Sequence, residues 1–66
     1  MRRELKAAIV LKYGYQQDFA DAIGSADSIV SRVITGRWNL TDQEKQQWAS
    51  RLDYHGNIEE LFKDSK

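Results

Sequence analysis

Apolar side chains recur along this chain at helical intervals, and the stretches they form are separated by glycines or polar turns. Leu5, Ile9 and Tyr13 are spaced by four, and Leu5, Ala8, Ile9 and Lys12 share a side. That spacing predicts a helix over residues 2–13, with Gly14 just past its end. Phe19, Ala20 and Ile23 form one apolar stripe, predicting a helix over 16–23 that stops at Gly24. Ile29, Val30, Val33 and Ile34 line one side of a third helix over roughly 27–35, ended by Gly36. The fourth begins at Thr41-Asp42-Gln43-Glu44, the pattern of a capping box, with Leu40 placed to staple onto the first turn. Trp48, Ala49 and Leu52 are its buried stripe, and 53–56 reads as a turn. Asn57 then caps a short last helix from 58 to about 63, with Glu59 and Glu60 in its first turn. Ile58, Leu61 and Phe62 are expected to fold back on the core. The prediction is all-α, a bundle of about five short helices.

Composition narrows this further. Sixty-six residues make one domain, 1–66, and bury only about 60% of the unfolded surface. No cysteine is available for a disulfide or thiolate metal site, so packed side chains must supply the core. Proline is absent, which favours helices. No apolar run approaches the roughly 18 residues of a membrane span. The charged start, Met1-Arg2-Arg3-Glu4, is not followed by the apolar stretch of an export signal. A reducing cytoplasm is the expected compartment.

Net charge is zero, which weighs against nucleic-acid affinity. Its distribution is uneven. Residues 1–37 hold six basic and four acidic side chains, and residues 38–66 hold four basic and six acidic ones. The balance, +2 against −2, points weakly to an amino-terminal half that faces DNA.

The stretch from 16 to 36 is the most informative. A small residue at Ala20 permits close helix approach, Gly24 permits a tight reversal, and Val30 fills the wedge between the two helices. This is the arrangement of a helix-turn-helix, whose second helix enters the major groove. Gln16-Gln17-Asp18-Phe19-Ala20-Asp21-Ala22-Ile23-Gly24, with Ile29-Val30-Ser31-Arg32-Val33-Ile34-Thr35-Gly36-Arg37, resembles the Cro and phage-repressor (XRE-like) family of helix-turn-helix regulators. The resemblance extends through the fourth helix to Glu60-Leu61-Phe62. It implies a lambda-repressor-like fold and a minimal, prophage-type transcriptional regulator. Such a protein would bind an operator in double-stranded DNA as a homodimer, in the cytoplasm or nucleoid of a bacterial or phage-infected cell.

The resemblance also implies roles. Gln16 and Gln17 would meet phosphate at the start of the second helix. Asp27, Ser28, Ser31 and Arg32 would occupy groove-facing slots. Arg32 is the leading base reader, because a guanidinium can take guanine O6 and N7 together. Arg37 would clamp phosphate, with Asn39 and Lys12 as weaker candidates. The chain departs from the family pattern in three places. Tyr15 stands where a capping Ser or Thr is usual, Ser25 and Ala26 follow Gly24, and Asp27 brings a carboxylate to the groove tip near Asp18 and Asp21. Ser25 or Asp27 is expected to cap the third helix instead.

Each signal has a plainer explanation. The apolar set is core in any case. Arg32 can be a solvated charge, and Arg37 can complement the negative end of its helix. Asp27 fits a cap better than a base reader. His55 is a lone histidine, which argues against a metal site. Ser25, Ser28 and Ser31 have no histidine base, so no enzyme is expected and no cofactor is implied. Trp38 and Trp48 are read as core or interface, with Trp38 also placed to touch sugar-phosphate. Trp38, Leu40 and residues 58–62 are candidate dimer contacts. The competing function is a protein-interaction module of the same fold, antitoxin-like or anti-repressor-like.

Overall fold

Helix α1, Arg3–Tyr13, buries Leu5 and Ile9 and turns its other sides to water. The computed structural model describes residues 1–63 and contains four further helices: α2 Gln16–Ala22, α3 Asp27–Thr35, α4 Asp42–Arg51 and α5 Ile58–Leu61. No strand occurs among the described residues. Three helix limits differ slightly from the periodic pattern. Arg2 stands outside α1 as its N-cap, Ile23 outside α2 as its C-cap, and α5 stops at Leu61.

The core draws on every helix. Leu5, Ile9, Phe19, Ala20, Val30, Val33 and Leu61 are fully buried, and Ile34, Leu40, Trp48, Ala49, Leu52 and Phe62 are nearly so. A line of aromatic rings runs through it. Tyr13 meets Phe19 edge to face at 5.2 Å, and Phe19 meets Trp48 at 5.1 Å. Trp48 in turn lies 6.3 Å from Phe62. These contacts join α1, α2 and α4 to the segment after α5, and edge-on pairs add about 0.5–1.5 kcal/mol each beyond area burial.

Helix ends follow from local chemistry. Thr41 and Glu44 form the full capping box: the Glu44 amide donates to Thr41 Oγ1 at 3.2 Å, and the Thr41 amide donates to Glu44 Oε1 at 3.1 Å. Asn57 caps α5 by accepting from the Glu59 amide at 2.9 Å. Leu40, the residue before the box, lies in the main core at 7% exposure.

Among the described residues one charged side chain is buried, and the periodic pattern gives no hint of it. Arg2 is 5% exposed. Its Nε donates to the Phe62 carbonyl at 3.0 Å, and one terminal nitrogen donates to the carbonyls of Val33 and Trp38, each at 2.8 Å. The other donates to Asn39 Oδ1 at 2.6 Å. The Arg2 amide adds a bond to the Ile34 carbonyl at 2.7 Å. One side chain thereby ties the start of the chain to the end of α3, the loop after it, and the segment after α5. A buried guanidinium is tolerable when its donors are matched, and five N–H groups in a fixed fork suit several carbonyls at once.

Candidate nucleic-acid interface

The short α2 and the α3 that follows it are joined by a four-residue turn, 23–26. Gly24 adopts φ +69, a left-handed conformation that costs a side chain about 1–2 kcal/mol. The Ser25 amide donates back to the Ala20 carbonyl at 2.8 Å, and the Gly24 amide to the Asp21 carbonyl at 3.2 Å. Those two bonds are the Schellman closure of a helix. The reversal is thus specified by backbone bonding. Ala20 and Val30, both fully buried, lie on either side of it.

Burial of Val30, Val33 and Ile34 turns the opposite side of α3 to solvent. Asp27, Ser28, Arg32 and Thr35 are exposed and Ser31 is half-buried. Positions 28, 31, 32 and 35 are separated by three, four and seven residues, so they share one outward stripe. Of the sequence-predicted set, Ser28, Ser31 and Arg32 therefore share this face, while Asp27 lies at its amino-terminal edge with its carboxylate held by Gln16.

Gln16 opens α2 and reaches the start of α3. Its Nε2 donates to Asp27 Oδ1 at 3.1 Å and to the Asp27 carbonyl at 3.3 Å. This contact joins two of the predicted residues and accounts for the position of the carboxylate. It also corrects the expectation that Ser25 or Asp27 caps α3. The N-cap is Ala26, no side chain bonds there, and Asp27 lies one position inside the helix with its carboxylate turned to Gln16. Tyr15 holds the N-cap position of α2 without a side-chain cap bond and is 75% exposed. Gln17 is exposed beside Gln16.

At the far end of α3, Gly36 is left-handed and the Arg32 carbonyl collects four donors, the Gly36 amide among them. The Arg37 amide reaches it at 2.9 Å, the Trp38 amide at 3.2 Å, and the Thr35 hydroxyl at 3.1 Å. The main chain that carries Arg37 and Trp38 is therefore fixed to the turn that carries Arg32. Both Arg37 and Trp38 are exposed, Trp38 by 42%. Asn39 is exposed as well, but its carbonyl oxygen is engaged by Arg2, which leaves its amide NH2 as the outward donor. Arg2 thus holds the 38–39 segment from beneath while Arg32 holds it from the side.

Other expected contacts lie elsewhere. Lys12 forms an ion pair with Asp53 in the turn after α4, which raises the pKa of the lysine and lowers that of the aspartate. The proposed dimer contacts need correction. Leu40, Leu61 and Phe62 are core residues, so of the stretch 58–62 only the half-buried Ile58 and the exposed Glu59 and Glu60 reach the surface. The structure required these apolar side chains internally, because a chain this small has few others to bury. Trp38 remains outside, and Trp48 is core.

Among the described residues no three His, Cys, Asp or Glu side chains converge as a metal site would require. No helix of the described chain is long and apolar enough to cross a membrane. No family model, curated protein or solved structure matches the chain.

Proposed function

We propose that the chain is a cytoplasmic, non-enzymatic transcriptional regulator that binds an operator in double-stranded DNA through α3, as a homodimer of prophage or Cro type. In this proposal α2, its turn and α3 act as a helix-turn-helix of lambda-repressor-like kind. The observation that carries it is the outward stripe of α3. Ser28, Ser31, Arg32 and Thr35 face away from the core, and Gln16 braces the amino-terminal end of the same helix through Asp27. Arg32 then reads a base edge, with Ser28, Ser31 and Asp27 beside it. Gln16, Gln17, Arg37 and the Asn39 amide contact phosphate and set the register.

Zero net charge limits the electrostatic part of binding. With one or two phosphates neutralised per copy, two copies give a slope of about −2 to −4 in log K against log salt. Fluorescence anisotropy on duplexes selected from a random pool measures this slope. Arg32→Ala is expected to weaken the selected duplex by about tenfold or more while leaving random duplex nearly unchanged. Arg37→Ala should weaken both equally and flatten the slope. Absence of any duplex binding at low salt would sink the proposal. It would favour a protein-interaction module, antitoxin-like or anti-repressor-like, for which the neutral charge and the exposed Asp18, Asp21 and Asp27 are the supporting observations.

A further inference from the structure

The outer side of α1 carries apolar groups that nothing in the described chain covers. Leu11 is 90% exposed and Val10 50% exposed, although both belong to a helix with a well-packed inner side. Leu11 forms part of the wall of an open hollow of about 350 Å³ between α1 and the turn after α4. Ala8, Leu52 and Tyr54 form its apolar floor, and Lys12, Asp53 and His55 stand around it.

We propose that this face is where a second copy of the chain docks. It gives the proposed homodimer a surface different from the one expected around Trp38 and residues 58–62. The inference rests on the homodimer part of that proposal, but its chemistry does not require DNA.

Two features select a second copy as the occupant. First, a projecting leucine and an apolar hollow lie side by side on one surface. A two-fold axis between them places the Leu11 of each copy in the hollow of the other, which is the reciprocity an isologous contact demands. Second, the rim carries one cation and one anion, Lys12 and Asp53, already hydrogen-bonded to each other. The same axis sets the lysine of each copy beside the aspartate of the other, so the rim matches itself in charge. A strongly basic or acidic partner would find no matching potential there.

Size sets the strength. The widest side of the molecule measures 24 × 24 Å. A contact confined to one side of a molecule this small is expected below the roughly 800 Å² per partner of a standard interface. The pairing is therefore reversible, and a duplex that holds both copies would strengthen it by raising their effective concentration.

The test is sedimentation velocity on the full chain without DNA, from about 1 μM to about 1 mM, the span in which a reversible contact of this size dissociates. The wild type is expected to pass from monomer to dimer across that range. Leu11→Glu should weaken the dimer by more than about tenfold, with an unchanged thermal unfolding curve because Leu11 is exposed. Arg32→Ala should leave self-association untouched. K12D and D53K should each pair poorly alone, yet a mixture of the two should recover the dimer, since opposite charges then meet at both rim positions. A wild type that stays monomeric, a Leu11→Glu chain that pairs as tightly as wild type, or a mixture with no recovery would each overturn the proposal. Duplex binding measured in parallel keeps the two proposals apart. A dimer that ignores DNA defeats only the DNA-binding role, and a duplex-binding chain that never pairs defeats this interface and the homodimer part of the proposed function while leaving DNA binding by α3 intact.

Discussion

Replacing Arg2 by methionine tests the packing logic of the molecule most directly. Methionine approximates the aliphatic stem of arginine and removes the fork. Among the described residues, the wild-type side chain makes two buried bonds, to the carbonyls of Phe62 and Val33, and two at partly buried acceptors, Trp38 O and Asn39 Oδ1. The partly buried acceptors can recover water. The two buried carbonyls cannot, and a buried polar group left without a partner costs about 1–3 kcal/mol. The expected loss is therefore about 2–6 kcal/mol. A chain of 66 residues has a total stability of about 3–10 kcal/mol, so the substitution removes a large share of it. At about 4–8 °C per kcal/mol for a domain of this size, Tm should fall by at least about 10 °C. Circular dichroism during heating measures it, and urea unfolding provides the control through an unchanged m-value. Arg2→Lys should fall between, because an ammonium has three donors on one nitrogen and cannot span four separated acceptors. A fall in Tm of less than about 4 °C for Arg2→Met would refute the reasoning, since it would mean that the fork contributes under about 1 kcal/mol.

Two further outcomes follow from the helix ends and the surface. Thr41→Ala removes the capping-box oxygen of α4 and should cost about 1 kcal/mol, read as a 4–8 °C fall in Tm with no change in m. Asp53→Asn should alter the pH dependence of Tm. The hydrogen bond and then the charge of Lys12 depress the Asp53 pKa, so its contribution is present above the ordinary value of 3.8 and disappears as pH falls through the lower folded value. Lys12 is raised from 10.5 by the same partner, so its contribution is present below 10.5 and disappears as pH climbs past the higher folded value. Wild type and Asp53→Asn should thus differ most near neutrality and converge at both extremes. The difference should be small and should shrink with salt, because both groups are exposed.

The elements that were legible in advance are those written in local chemistry. Gly24 and Gly36 mark left-handed closures, Thr41 and Glu44 form a cap within four residues, and the stripe of α3 follows from Val30, Val33 and Ile34 alone. What stayed hidden depends on distant partners. Arg2 stands in a charged start of the chain, and acceptors 31 to 60 residues away make it a core residue. Leu40 and Phe62 read equally well as interface or interior, since each lies at the margin of a helix where periodicity is too short to choose. Asp27 reads as a cap because carboxylates favour that position, yet the turn placed Ala26 there and left Asp27 to Gln16. The exposure of Leu11 is the reverse case. Its neighbours Ala8, Ile9 and Lys12 promised only one buried face, and Leu11 falls outside it.

The outer side of α3 departs from what stability alone would select. A helix face turned to water is best filled with strong helix formers, and α4 follows that rule with Gln43, Glu44, Gln46, Gln47 and Arg51 exposed, save for Ser50 in its last turn. Helix α3 instead exposes Ser28 and Thr35 and half-exposes Ser31, three weak formers that together forgo about 1 kcal/mol. Asp27 at its start and Arg37 just past its end suit the helix dipole and need no other reason. The serines and the threonine gain nothing from the dipole, and among the described residues the one bond their hydroxyls make is that of Thr35 to the Arg32 carbonyl. Short polar side chains make the surface of a helix shallow, so its backbone can approach a partner closely while hydroxyls remain to donate and accept. Arg32 stands in that shallow stripe as its one long side chain. In the proposed function this stripe would be the part that enters a groove about 12 Å wide, and departures from local propensity are expected where a surface serves contact rather than folding.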